Sequence, residues 1–511
     1  MKKPLPHQKA ALKAVDQGFL ESLRGQVLMA SGTGKTLVAW WAAQKHAKNS
    51  ILALVPSLAL ARQLYNDWRS PDVWQNGSKY RWLVVCSDPS VTQNKNVSDD
   101  ISYSELKAEI KDVTNNASEV QTFLASSDTR PLVVISTYQS APTLANGFPN
   151  KFRFDVSIFD EAHKTAGAAG KLFSFALQDK NLRSKKRLFF TATPRRSSYR
   201  TRRGEHLQIF HMGNPKIYGK VFYDLPYMAA LKQGLVSDYD VLIPVIERPE
   251  VTRGKILSKE NTALLAKVTV VAKAAREYNI KKIFSFHGTN VDAELARNFY
   301  SETAKGFAVH RVSGRQSSAE RANVLQRFAA GRRSIVTNAR CLGEGVNIPV
   351  CDAVAFMTPR RSKVDIVQAV GRACRIDRRV GATKKKAYVI VPIFIDKGET
   401  LEQATAGSAF KDALDTLHVL REHNTALSDE IQFMREYMRK PEAPGPLKVD
   451  ATRIKILANE TLQGGIAGLS VEAFEEAFRI TLSQELRATP EEKIRKILKI
   501  AAEQAKLLGR I

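Results

Sequence analysis

Short apolar runs recur along the first part of the chain, each followed by a stretch in which apolar positions return every three or four residues. The runs are Val27 to Ala30, Ile51 to Val55, Trp82 to Cys86, Leu132 to Ser136, Val156 to Asp160 and Leu188 to Thr191. Unbroken apolarity over four to six residues suits a strand buried on both faces. The 3.6-residue spacing of stretches such as Leu58 to Trp68 suits a helix covering such a sheet. This alternation predicts a parallel α/β sheet. One interval breaks it: Asp88 to Arg130 is polar, and reads as a loop with a short helix around Tyr103 to Ile110.

A second series follows, with strands expected at Ile283 to Phe286, Phe307 to Val312, Ser334 to Thr337, Ala353 to Met357 and Ala387 to Val391. The chain is therefore expected to hold two similar α/β domains, residues 1–222 and 223–397. The join falls near Met212 to Tyr223, where Gly, Asn and Pro cluster before a helix starting at Pro226. Beyond residue 398 the pattern turns helical, with Phe410, Leu414, Leu417 and Leu420 on one face. This third, helical region (398–511) is interrupted by the linker PEAPGP at residues 441–446.

A chain of 511 residues is too long for one compact core. Its 44% apolar and 25% charged residues exclude general disorder, and four cysteines without a CxxC pair support neither a disulfide framework nor a zinc site. No signal peptide or membrane-length apolar run is seen, so a cytoplasmic protein is expected, with no membrane partner. The 78 Lys and Arg against 51 Asp and Glu leave a net charge of +27, which points to a polyanion such as nucleic acid. The surplus is dense at Arg183 to Arg203, with nine basic residues and no acid, and at Arg360 to Lys386, with ten against two. Residues 441–511 carry eleven basic and ten acidic residues, a balance of +1, which suits a protein partner better than DNA there.

Two motifs carry chemistry. The run at Val27 leads into Ser31-Gly32-Thr33-Gly34-Lys35-Thr36 and then an apolar helix. This is a phosphate-holding loop: backbone N–H groups face the β-phosphate, Lys35 supplies charge to the β/γ oxygens, and Thr36 can ligate Mg²⁺. Met29 stands where the strict pattern has its first Gly. The second motif is Asp160-Glu161-Ala162-His163, which ends a buried strand and so places carboxylates at the carboxyl edge of a parallel sheet. Asp160 is suited to hold Mg²⁺, and Glu161 to orient and deprotonate water.

In that order, with the segments that follow, the chain resembles a superfamily 2 helicase of the DEAH-box type. Pro6-His7-Gln8 resembles the adenine-reading segment, with Gln8 at the base contact. Pro56-Ser57-Leu58-Ala59-Leu60 and Ser136-Thr137-Tyr138-Gln139-Ser140 resemble nucleic-acid-contacting loops. Thr191-Ala192-Thr193 is similar to the segment that couples hydrolysis to movement. Thr337 to Pro349, with Gly343-Glu344-Gly345 and Asn347, and Gln368 to Arg375 resemble the last two motifs. The resemblance spans residues 4 to 395, and is nearest to the translocase core of restriction enzymes. It implies two tandem RecA-like domains, ATP and Mg²⁺ as cofactors, and double-stranded DNA as a partner read with little sequence preference.

The resemblance also implies roles. Arg372 and Arg375, three apart in a helical pattern, are the arginines that reach ATP from the second domain, a contribution of about 10³ to 10⁵ in rate. Gln368, one turn earlier, is placed to contact a phosphate-bound water or the nucleotide. Gly343, Glu344 and Gly345 offer backbone contacts to it. His163 either couples the domains or is a merely hydrogen-bonded structural histidine, and Arg195, Arg196 and Arg200 either contribute phosphate contacts or form a disordered basic loop. No methyltransferase motif and no nuclease constellation is seen, so modification and cleavage are not implied. An RNA helicase, or a nucleotide-gated scaffold in a defence or repair complex, stands as the alternative.

Overall fold

A computed structural model of the chain describes residues 2–70, 79–86, 103–168, 172–195, 209–247, 259–314, 316–339, 351–358, 363–376, 386–395, 416, 419 and 454–458. The apolar runs of the first half become strands β1 (Arg24–Met29), β2 (Ser50–Val55), β3 (Arg81–Val85), β4 (Val113–Thr114), β5 (Leu132–Thr137), β6 (Phe154–Phe159), β8 (Ser184–Thr191) and β10 (Lys220–Leu225). A small antiparallel ribbon joins β7 (Gly167–Ala168) to β9 (Ile209–Phe210). The eight form one parallel sheet in the order β10-β1-β8-β6-β2-β5-β3-β4. Every residue of β2, β5 and β6 is buried. Successive side chains pack on opposite faces: Ile51, Ala53 and Val55 join one apolar cluster, Leu52 and Leu54 the other. Each buried Leu, Ile or Val contributes about 1.5–3 kcal/mol, which leaves the strand ends as the affordable place for charge.

The second sheet holds β11 (Tyr239–Glu247), β12 (Lys282–Phe286), β13 (Ala308–Arg311), β14 (Ser334–Asn338), β15 (Ala353–Phe356), β16 (Ala387–Ile390) and β17 (Ile393–Ile395). Their order is β13-β14-β12-β15-β16-β11-β17, and β18 (Ile454–Ala458) also pairs with β11. All pairings are parallel. Phe284 and Phe286 face one cluster and Ile283 the other, the same alternation as in the first sheet. The chain thus folds as two tandem RecA-like parallel-sheet units. The apolar cluster on one face of the first sheet continues into the second through Leu225, Tyr227, Ala230, Leu231 and Val236.

Two expectations change, and one further strand appears. Tyr223, Asp224 and Leu225 pair with Val27, Leu28 and Met29, so the first sheet runs past the join placed at residue 222. Tyr239–Glu247 is a strand although Pro244 interrupts its pattern. The proline falls where β11 passes from β16, at Leu242, to β17, at Val245, so its missing N–H breaks no pairing on that side. Residues 454–458, expected to be helical, are a strand whose Ile454 to Ala458 pair with Val241 to Val245. The remainder of 398–511, linker included, lies outside the described residues apart from Thr416 and Val419. No helix among the described residues is long and apolar enough to cross a membrane.

Candidate active site

The phosphate loop grows out of β1, where Val27 to Met29 are buried. Met29 is still within the strand, paired with Leu225, and Ala30 donates its N–H to the Leu225 carbonyl at 2.9 Å. The turn therefore begins one residue later, and position 29 needs no glycine. Gly32 and Gly34 take φ of +84° and +88°, the left-handed region that glycine enters without strain. Gly34 also caps the helix Lys35–His46, and a Cβ there would lie 2.4 Å from Gln8 Nε2. Lys35 folds back on the loop, its Nζ donating to the Met29 carbonyl at 3.3 Å.

The helix Pro6–Glu21 locks the loop from one side. Gln8 Oε1 accepts from Leu5 N–H at 2.9 Å, closing the helix start, while Gln8 Nε2 donates to the Thr33 carbonyl at 3.3 Å. His7 Nε2 lies 2.9 Å from the same carbonyl. A carbonyl only accepts, so His7 carries its proton on Nε2. Gln8 retains one donor and one acceptor valence for a base. His7 is a loop-holding residue that sequence reading missed, and its near-complete burial is visible only in the fold.

Across the carboxyl edge, β6 delivers Asp160 and Glu161 two strands away from β1, about 10 Å at ordinary strand spacing. Asp160 N–H donates to the Leu54 carbonyl at 2.9 Å, and its Oδ1 accepts Glu161 N–H at 3.0 Å. Glu161 sits at φ 47°, ψ 47°, left-handed for a non-glycine residue, a strain of about 1–3 kcal/mol. Its Oε2 lies 3.4 Å from His163 Nδ1. Desolvation acts to raise the Glu161 pKa, yet Lys35 and His163 outweigh it and hold the carboxyl at about 2. His163 is fully buried. Its Nδ1 meets Thr191 Oγ1 at 2.9 Å and Thr193 Oγ1 at 3.4 Å, and its Nε2 is buried without a hydrogen-bond partner. The Asp-Glu-Ala-His segment is thereby joined to the end of β8.

The second sheet reaches this loop through the helix Lys363–Ala373. A Cβ on Gly371 would lie 2.7 Å from Ser31 Cβ, and one on Gly32 would lie 3.2 Å from Arg375 Cγ. The helix can lie this close to Ser31 because position 371 is glycine. Arg372 and Arg375 were expected on one helix face, but the helix ends at Ala373. Arg375 is fixed instead by a bridge to Val236, and Ser237 N–H donates to the Cys374 carbonyl at 2.8 Å. Arg375 Nε is buried without a hydrogen-bond partner. Burial pulls the Arg375 pKa below the ordinary guanidinium value, opposed by Asp67, while burial pushes the Asp67 carboxyl up. Arg372 is nearly buried and Gln368 half-buried.

Other expected residues turn inward. Ser57 caps the helix Leu58–Arg69, its Oγ accepting from Leu60 N–H at 3.3 Å, and Pro56 is buried, with its carbonyl accepting from Gln139 Nε2. Thr137 and Tyr138 are buried, so their side chains are not surface contacts for a nucleic acid. Thr337 is also buried and donates to the Ala293 carbonyl at 2.7 Å. Arg195 is exposed, and its carbonyl accepts from Met212 N–H. Gly343, Glu344, Gly345, Asn347, Arg196 and Arg200 lie outside the described residues.

The donor set fits a magnesium nucleotide. Thr36 offers a hydroxyl at a helix N-terminus and Asp160 one carboxylate, and Mg²⁺ with phosphate needs only one or two such ligands. The unpaired Arg375 Nε beside Gly32 is a further donor suited to a phosphate oxygen.

A phosphate loop and an acid pair on one sheet edge, met by an arginine from a second sheet, define a two-lobed helicase core. Residues 1–196 match the family "Type III restriction enzyme, res subunit" and residues 265–377 the "Helicase conserved C-terminal domain". Both matches are of the helicase type, and the chain resembles the superfamily 2 helicases, in their restriction-enzyme branch. It is 27% identical over 422 residues to "Probable helicase A859L" of African swine fever virus (isolate Tick/South Africa/Pretoriuskop Pr4/1996), covering 80% of this chain and 43% of that one. It is 23% identical over 283 residues to "DNA 3'-5' translocase XPB2" of Sulfurisphaera tokodaii, covering 48% and 60%. Its fold is similar to that of the ATP-dependent Type ISP restriction-modification enzyme LlaBIII bound to DNA. The TM-score is 0.75 at 23% identity, over 100% of this chain and 35% of that one. The chain spans less than half the length of the viral helicases it matches.

Proposed function

We propose that the chain is an ATP-driven translocase acting on nucleic acid, double-stranded DNA in the first place. The observation that carries this reading is the contact of Gly371 and Arg375 with the phosphate loop, which makes the site a product of two units. Lys35 and the loop N–H groups bind the β- and γ-phosphates, and Gln8 reads the base. Thr36 and Asp160 would hold Mg²⁺, which neutralises phosphate charge when bound. Glu161 orients the attacking water, and Arg375, with Arg372 beside it, meets charge developing on the γ-phosphate.

Lys35 has two partners in this scheme. It donates to the Met29 carbonyl and lowers the Glu161 pKa in the free site, and it turns to the phosphates when nucleotide binds. ATP favours the closed contact and hydrolysis weakens it, a differential affinity that can move a bound strand. The net charge of +27 supports a polyanionic track held mainly through phosphates. The printed names of DNA-bound LlaBIII and the translocase XPB2 favour DNA over RNA.

The test is steady-state ATP turnover with duplex DNA, forked duplex, single-stranded DNA or RNA. Duplex DNA is expected to raise turnover at least tenfold, with the effect lost at high salt. Stimulation by RNA alone selects an RNA helicase. No stimulation by any nucleic acid contradicts motor function and favours the nucleotide-gated scaffold.

A further inference from the structure

We infer that Tyr138 is a positioning residue that carries the state of the Thr137–Ser140 loop to the hydrolytic acid pair. This rests on the translocase reading above, with nucleic acid meeting the loop at its partly exposed Gln139 rather than at the buried Thr137 and Tyr138 side chains. Tyr138 follows β5 directly and is fully buried. Its hydroxyl donates to the Asp160 carbonyl at 2.8 Å, across 22 positions of sequence. That carbonyl belongs to the peptide whose N–H is Glu161's, and the same N–H is held by Asp160 Oδ1. One phenol thus grips the peptide between the two acids, immediately before the left-handed Glu161.

The grip is tied to two neighbouring loops. Gln139 Nε2 donates to the Pro56 carbonyl at 3.3 Å, beyond the end of β2, and Thr137 Oγ1 donates to Ser140 Oγ at 3.0 Å. The ring is wedged between Phe159 and Phe173, with centroids 6.4 and 5.7 Å away. Packing alone would be served as well by phenylalanine. A buried hydroxyl is costly unless bonded, so its use here is the bond it makes. A displacement of the 137–140 loop must therefore move the Asp160 carbonyl, and with it the backbone that aims the Glu161 carboxylate.

The experiment compares wild type, Tyr138→Phe and Phe173→Leu, the last altering ring packing while leaving the hydroxyl. ATP turnover is measured without DNA and at saturating duplex DNA, together with KM for ATP and thermal stability. Tyr138→Phe is expected to lower the ratio of stimulated to basal turnover about tenfold with KM within twofold, while Phe173→Leu keeps the wild-type ratio. The inference is overturned if Tyr138→Phe keeps the wild-type ratio, or if both variants lose it in step with stability. An unstimulated wild type instead defeats the translocase reading, and the inference with it.

Discussion

Glu161→Gln is expected to lower ATP turnover at least 10³-fold while leaving ATP bound. The substitution keeps the size of the side chain but removes the acceptor that, in the proposed mechanism, orients water and takes its proton. A thousandfold loss corresponds to about 4 kcal/mol of transition-state stabilisation. Binding persists because the loop N–H groups, Lys35 and Thr36 are untouched. It should tighten modestly, since Lys35 no longer has a carboxylate competing with the phosphates. The stability consequence has a definite sign. The Glu161 carboxyl is held at about 2 against an ordinary 4.5, so its stabilising contribution is complete above pH 4.5 and is lost as pH falls toward 2. The melting-temperature gap between wild type and variant should therefore shrink as pH is lowered from 5 to 3. Turnover at wild-type rate in the variant would remove Glu161 from the chemistry.

Gly371→Val is expected to cost about 100-fold in turnover although every residue of the phosphate loop keeps its identity. Even one carbon at this position would lie 2.7 Å from Ser31 Cβ, closer than atoms of two packed chains can approach, and valine adds two more. The two units must then part where Arg375 meets the loop. Each sheet has one buried cluster of its own beside the one the two share, so both are expected to remain folded, and far-UV circular dichroism should match wild type. The loss should fall mainly on kcat, because the binding groups for ATP lie on the first sheet. Wild-type turnover in this variant would mean that the contact of the two units is incidental to catalysis.

Much of this site is local in sequence and was legible there. Lys35 and Thr36 follow a strand and open a helix, and Asp160 and Glu161 end an apolar run, so spacing alone puts both pairs on one sheet edge. The Met29 departure was legible as a departure but not as harmless, since that depends on pairing with Leu225. Edge strand β10 escaped because Lys220 and Asp224 confine its apolar run to Val221, Phe222 and Tyr223. Strand β11 was hidden by Pro244, and β18 by a pattern that also fits helix. The inward turns of Tyr138 and Thr337 are long-range facts, set by Asp160 and Ala293. So is the placement of Arg375, which a bridge to Val236 fixes where helical spacing suggested a shared face with Arg372.

Motor function of the proposed kind requires above all a guanidinium from the second sheet acting on a nucleotide seated on the first. Its most direct test is single-turnover hydrolysis of pre-bound ATP by Arg375→Ala, with saturating duplex DNA. A rate at least 100-fold below wild type, with ATP affinity within a few fold, is the predicted result. Hydrolysis of the bound nucleotide at the wild-type rate would contradict it.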